Sequence, residues 1–345
     1  MSLPISVKPL FALLVCVMAV AGCASTDGAA IKQAPAEAMS SPTALPNFPV
    51  GTILDVSTGR PVVTSGDEDA LRRWMGSLAQ ADVVMFGEEH HNRHHVAAAL
   101  SVTRALLDEG RRPVLAAEMF SWDGQAALDR QLSTDPQPAD VFLDSARWTQ
   151  NWGGPYADYA PLVDFAKEHR LPFVALNAPR PMVRMVGRQG LEAALISDEV
   201  KASGLSRQDL VEDPAYRGVI LDQLKACHGG GGDDRHFERM YEASLFRDEA
   251  MARTAAEQVR RLRAQVDAAN GPLVTYTGTG HIQYDLPIPK RLARRLDGQV
   301  KIVTIQMASA LQDRADLLRE WLDGKIADYI WLTDVGDHGP PARCR

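Results

Sequence analysis

A three-layer α/β fold, with a mostly parallel sheet and an inserted helical cap, is predicted by two observations. Roughly six short apolar runs recur along the chain, most ending at a glycine or polar tip and separated by stretches of helical period. Between Arg180 and Asn270, about 90 residues carry helical patterns with no convincing strand. An insertion of that size belongs over one end of the sheet.

Thr52 to Val56 and Pro61 to Thr64 read as a hairpin around Thr58–Gly59, and Asp67 to Gln80 as a helix. Val83–Val84–Met85–Phe86 is a buried strand stopped by Gly87, and Arg93 to Glu109 is the helix after it. Pro113 to Ala117 is a strand ending at Glu118. Gln125 to Leu132, Val141 to Trp148 and the amphipathic stretch Tyr156 to Arg170 are helical, and Pro172 to Leu176 is a strand running into Asn177–Ala178–Pro179. The insertion closes with a long helix, about Asp234 to Ala268. Leu273 to Tyr276, Val300 to Ile305 and Tyr329 to Leu332 complete the strands, with Leu311 to Leu322 helical.

The ends of the chain and its composition bound the function. Lys8 precedes an apolar segment, Leu10 to Ala21, of signal-peptide length and too short to span a bilayer. It ends in Val20–Ala21–Gly22–Cys23, a lipobox pattern that puts lipidation on Cys23, with Ala24 fitting outer-membrane sorting. Residues 1–22 are therefore expected to be a signal peptide. The Ala/Ser/Thr/Pro-rich residues 23–46 are a tether reaching roughly 25–30 Å as a coil, and 47–345 the folded domain. Cys227 and Cys344 remain for an oxidising compartment, where their pairing is open. A formal charge of −7 among 345 residues, with no basic patch, argues against nucleic acid as a partner.

Chemistry concentrates at three strand ends. Four of the nine histidines, His90, His91, His94 and His95, fall in one hexapeptide beside Glu88 and Glu89. Glu118 leaves the second strand, and Gly278–Thr279–Gly280–His281 leaves a third. Parallel strands bring such tips to one edge, where open α/β sheets bind ligands. On the long helix, Asp248 interrupts an apolar stripe that includes Phe237, Tyr241, Met251 and Val259, with Arg247 adjoining it. An inward carboxylate costs several kcal/mol unless paired. Either it pairs with an internal Arg or His, or it faces the pocket.

His90, Glu118 and His281, with His94 in reserve, match a two-His, one-carboxylate metal set for Zn or Mn. Glu88 and Glu89 would then be the acid/base candidates. H-E-x-x-H, G-x-S-x-G, P-loop and C-x-x-C-H patterns are absent from the sequence, which removes support for serine hydrolase, nucleotide and covalent haem readings.

Gly87–Glu88–x–His90 with His94–His95, Glu118–Met119–Phe120, Trp152 to Tyr159 leading to Leu176–Asn177–Ala178–Pro179–Arg180, Arg247–Asp248–x–x–Met251–Ala252 and Gly278–x–Gly280–His281 occur in this order. Together they resemble the ChaN-like haem-binding uptake family of the Tiki superfamily, which also holds erythromycin-esterase relatives. The resemblance implies a haem-binding lipoprotein for iron or haem acquisition, with haem between two subunits and tyrosine on the iron. Of the tyrosines near the motifs (Tyr156, Tyr159, Tyr276, Tyr284), Tyr159 and Tyr284 join Glu88, His90, His94, Glu118, Arg247, Asp248 and His281 as expected haem-pocket residues. The alternative it carries is a metal-dependent peptidase- or esterase-like hydrolase on the same residues. A scaffold with a vestigial site is the third reading.

Overall fold

The structure is a computed structural model that describes residues 48–228, 233–265, 267, 269–310 and 315–339. Residues 1–47, with Cys23 and the tether, lie outside the described residues, as do Gly229 to Gly232 and Cys344.

Eight strands make one sheet: β1 (Ile53–Asp55), β2 (Arg60–Val63), β3 (Val83–Glu88), β4 (Arg112–Ser121), β5 (Phe173–Asn177), β6 (Asn270–Gly278), β7 (Ile302–Ser309) and β8 (Tyr329–Thr333), in the order β2-β1-β8-β7-β3-β6-β4-β5. The strands from β8 to β5 pair in parallel, whereas the hairpin β1–β2 pairs antiparallel and docks on β8. The expected hairpin is thus an edge of the main sheet. Every residue of β3 is buried, as a central parallel strand requires.

Alternation along the strands divides the core. Val84, Phe86, Leu115, Ala117, Val274 and Tyr276 face one helical layer, which includes the Arg93–Asp108 and Ala160–Glu168 helices. Val83, Met85, Val114, Ala116 and Leu273 face the other, built from Met251, Ala252, Ala255, Ala256 and Val259 of the long helix with Ile288 and Leu292. Three layers result.

The long helix runs Asp234–Ala264, 31 residues and about 46 Å. Its C-terminal half covers the sheet. Its N-terminal half carries a second core with Val186, Leu191, Val200, Tyr216 and Ile220 from the helices Arg180–Gln189, Leu191–Leu195, Asp198–Ala202 and Pro214–Cys227. One helix therefore fixes the cap to the sheet.

Two expected helices differ in detail. The Tyr156 to Arg170 stretch begins as a 3-10 turn, Tyr156–Asp158, before the helix Ala160–Glu168. Val141 to Trp148 divides into Ala139–Ser145 and Trp148–Asn151, because Arg147 adopts a left-handed conformation (φ 53°). Among the described residues no helix is long and apolar enough to cross a membrane.

Candidate functional site

The C-terminal ends of β3, β4 and β6 meet as neighbours. Glu88 is in register with Gly278, and Ala117, just before Glu118, with Tyr276. By alternation Glu88 follows Val84 and Phe86 onto one face of the sheet, while Glu118 follows Val114 and Ala116 onto the other. Two carboxylates at one edge thereby enter different surroundings.

Glu88 is buried among hydroxyls. Its Oε1 accepts from Tyr159 Oη at 2.9 Å, its Oε2 accepts from Tyr276 Oη at 2.6 Å, and His90 Nδ1 lies 2.7 Å from Oε1. Burial pushes the Glu88 carboxyl up, against the hydrogen bonds from His90, Tyr276 and Tyr159. Burial opposes charge on His90, yet contact with Glu88 and the nearby Glu118 shift it upward. The His90 side chain is 42% exposed, so solvent screens that pair.

Glu118 is buried among cations and donors. Gly278 N–H donates to its Oε2 at 2.7 Å, Arg247 Nη2 donates to Oε1, and His281 Nε2 stands 3.3 Å from Oε1. Burial alone would raise this carboxyl; His281 and Arg247 outweigh it and hold Glu118 well below the usual carboxylate range. His281 Nδ1 lies 2.5 Å from Asp248 Oδ1, and Tyr216 Oη donates to Asp248 Oδ2 at 2.6 Å. Burial disfavours charge on His281 and Arg247, 2.6 Å from Nε2, opposes it too, but Glu118 and Asp248 prevail and push its pKa up to about 9.

His90, Glu118 and His281 do converge, around Gly278. A Cβ there would come 2.7 Å from His90 Cε1 and 3.5 Å from Glu118 Oε2, so glycine lets the strand end pass between them. The metal assignment, however, meets a correction. The cation between Glu118 and His281 is the Arg247 guanidinium, and among the described residues no group of three His, Cys, Asp or Glu side chains is arranged to hold a metal ion.

Other expected residues scatter. Glu89 turns away to accept from Ser309 N and Oγ at the end of β7. His94 gives its backbone N–H to the Asn92 cap at 2.9 Å, and its side chain makes none of the bonds that join the cluster. Tyr159 is buried with its hydroxyl between Glu88 and the His91 N–H, and burial raises its pKa. Tyr284 lies elsewhere, packed against the core cluster that includes Leu54, Ile326 and Ile330. Asp248 follows the first reading of its stripe position: it is buried and pairs with an internal histidine, His281, and is not among the residues that line the cleft beside the cluster.

Tyr216 escaped sequence reasoning, because nothing local distinguishes it on the Pro214–Cys227 helix. Trp152 was visible only as part of a motif. Its ring sits 5.0 Å from that of His90 and lines a cleft of about 540 Å³ between the Arg180–Gln189 helix and the long helix, with Arg247 at the inner end.

A family model described as haem-binding uptake, Tiki superfamily, ChaN matches residues 74–292, more than half of the chain and all of the cluster. The chain belongs to this ChaN family. Among solved structures, ChaN of Campylobacter jejuni, described by cofacial haem binding, superposes with a TM-score of 0.58 at 17% identity, over 81% of this chain and 95% of that one. That likeness carries the ChaN fold. The erythromycin esterase EreC in its open conformation gives a TM-score of 0.40 at 14% identity, over 75% of this chain and 76% of that one. A Bacillus cereus protein gives 0.40 at 15% identity, over 71% and 70%. No curated protein matches the chain. Haem is the ligand of the ChaN family, and the cleft fits such a group: its volume lies in the usual ligand range of roughly 300–1,000 Å³, and Trp152, Val183, Leu224 and Met240 give it apolar walls.

Proposed function

We propose that the protein binds haem in the cleft beside the strand-end cluster and serves haem or iron acquisition as a lipoprotein. The family match over the residues that build the cluster carries this reading. His90 is the proposed donor to iron on this side. Its Nδ1 is engaged by Glu88, the second partner that metal-binding imidazoles commonly have, and Nε2 is left for a ligand. A phenolate is the weaker candidate here, since Tyr159, Tyr216 and Tyr276 are buried and raised in pKa, whereas the half-exposed His90 ring lies 5.0 Å from Trp152 at the edge of the cleft. The opposite face of the haem is assigned to a second copy of the chain, giving a homodimer around haem.

Titrating the purified protein with micromolar haemin tests the reading: a saturable Soret shift is expected, changed in position by His90→Ala. An unshifted Soret band would remove it. Lipidation at Cys23 and attachment to the outer membrane belong to the same proposal. Cys23→Ser is expected to release the protein from the membrane fraction, and retention would count against the anchor.

A hydrolytic reading has one observation behind it. Glu88 is pushed up and Glu118 down, the split that separates acid from base in hydrolases. Turnover of peptides or esters, with and without added Zn or Mn, decides it.

A further inference from the structure

We propose that Arg180, Arg184 and Arg188 form a ladder that seats the carboxylates of the ligand in the cleft; the proposal rests on the haem reading. The three stand at i, i+4 and i+8 on the Arg180–Gln189 helix, and all three line the cleft. They share one face, over about 12 Å of helix.

Among the described residues no carboxylate pairs with any of the three, in a chain with 44 acidic against 37 basic residues. Other arginines of the cap are matched: Arg207 to Glu192, Arg217 to Glu238 and Arg239 to Glu242. The first turn of this helix has no acidic residue and instead begins with Arg180. The helix dipole already makes that end positive, so a cation there is unfavourable until an anion arrives.

Two other polar groups of the cleft are also unsatisfied. Asn177 Oδ1 and Arg247 Nε are buried and make no hydrogen bond, and both residues line it. Trp152, Val183, Leu224 and Met240 add apolar surface to the same cleft. The matching ligand class is a flat apolar body with two carboxylates along one edge, which guanidinium forks grip in bidentate fashion.

The test compares haemin with its dimethyl ester, which keeps the macrocycle and iron but not the charges. The wild-type protein is expected to bind haemin roughly tenfold more tightly than the ester. In Arg184→Gln/Arg188→Gln, haemin affinity should fall to near that of the ester, with ester affinity and Soret position unchanged. Equal affinity of the wild type for both compounds, or an unaltered haemin affinity in the double variant, overturns the ladder alone. If haemin leaves the wild-type spectrum unshifted, the haem reading falls and the ladder assignment falls with it.

Discussion

Asp248 and His281 meet at 2.5 Å although one sits midway along the long helix and the other on the turn after β6. Tyr216 holds the second oxygen of Asp248. The contact joins cap, long helix and sheet edge in one chain of hydrogen bonds, and it makes the charge on His281 part of the stability of the protein.

That charge has a pH signature. The folded pKa of about 9 lies above the ordinary 6.5, so the stabilisation is fully present below pH 6.5 and is lost as pH rises through 9. Asp248→Asn should cost about 3 kcal/mol at pH 6 and flatten the decline between pH 6.5 and 9. Urea unfolding across that range measures both, and a variant slope equal to that of the wild type would contradict the assignment.

Glu118→Gln should be more damaging than any exposed substitution. It leaves Arg247 and His281 facing each other without the carboxylate they share, at a cost of about 3–5 kcal/mol at pH 7. The native carboxylate, held low, contributes stability that is present above pH 4.5 and is lost only as pH falls through its depressed pKa. Thermal melts of variant and wild type at pH 7 read the cost, and the gap between them should narrow only in melts taken well below pH 4.5.

His95 has the opposite sign. It is fully buried, its Nδ1 accepts from the Glu89 N–H at 3.0 Å, and burial depresses its pKa to about 3. The unfolded chain therefore takes up a proton that the folded chain refuses, and stability falls as pH drops from 6.5 toward 3. His95→Asn is expected to remove roughly 2 kcal/mol of the loss between pH 8 and pH 5. Denaturant midpoints at those two pH values check it.

Two neighbouring glycines should behave differently. Gly278→Ala drives a methyl into His90 and should cost about 1–3 kcal/mol and weaken haem binding. Gly280→Ala meets nothing within 4 Å and should change stability by no more than about 0.5 kcal/mol. Calorimetry and haemin titration on the pair separate close packing from a general intolerance of substitution in the turn.

Much of this site is legible in the sequence, because strand ends and helical stripes are local patterns. Phe86, Ala117 and Tyr276 end apolar runs, and parallel strands carry the polar tips beyond them to one edge. The division between Glu88 and Glu89 was also within reach, since adjacent residues at a strand end leave in different directions. Tyr216 was not, because its partner lies 32 positions away on another helix.

By itself the sequence determined the α/β alternation, the strand-end tips and the need of Asp248 for a partner, all of which come from periodicity and the cost of burying charge. The tertiary structure decided which charges meet. It set Arg247 between Glu118 and His281, sent Glu88 to the tyrosines on the other face, and left Arg180, Arg184 and Arg188 lining a cleft without carboxylates. Coulomb and desolvation terms depend on distances across the fold, and spacing along the chain does not encode them.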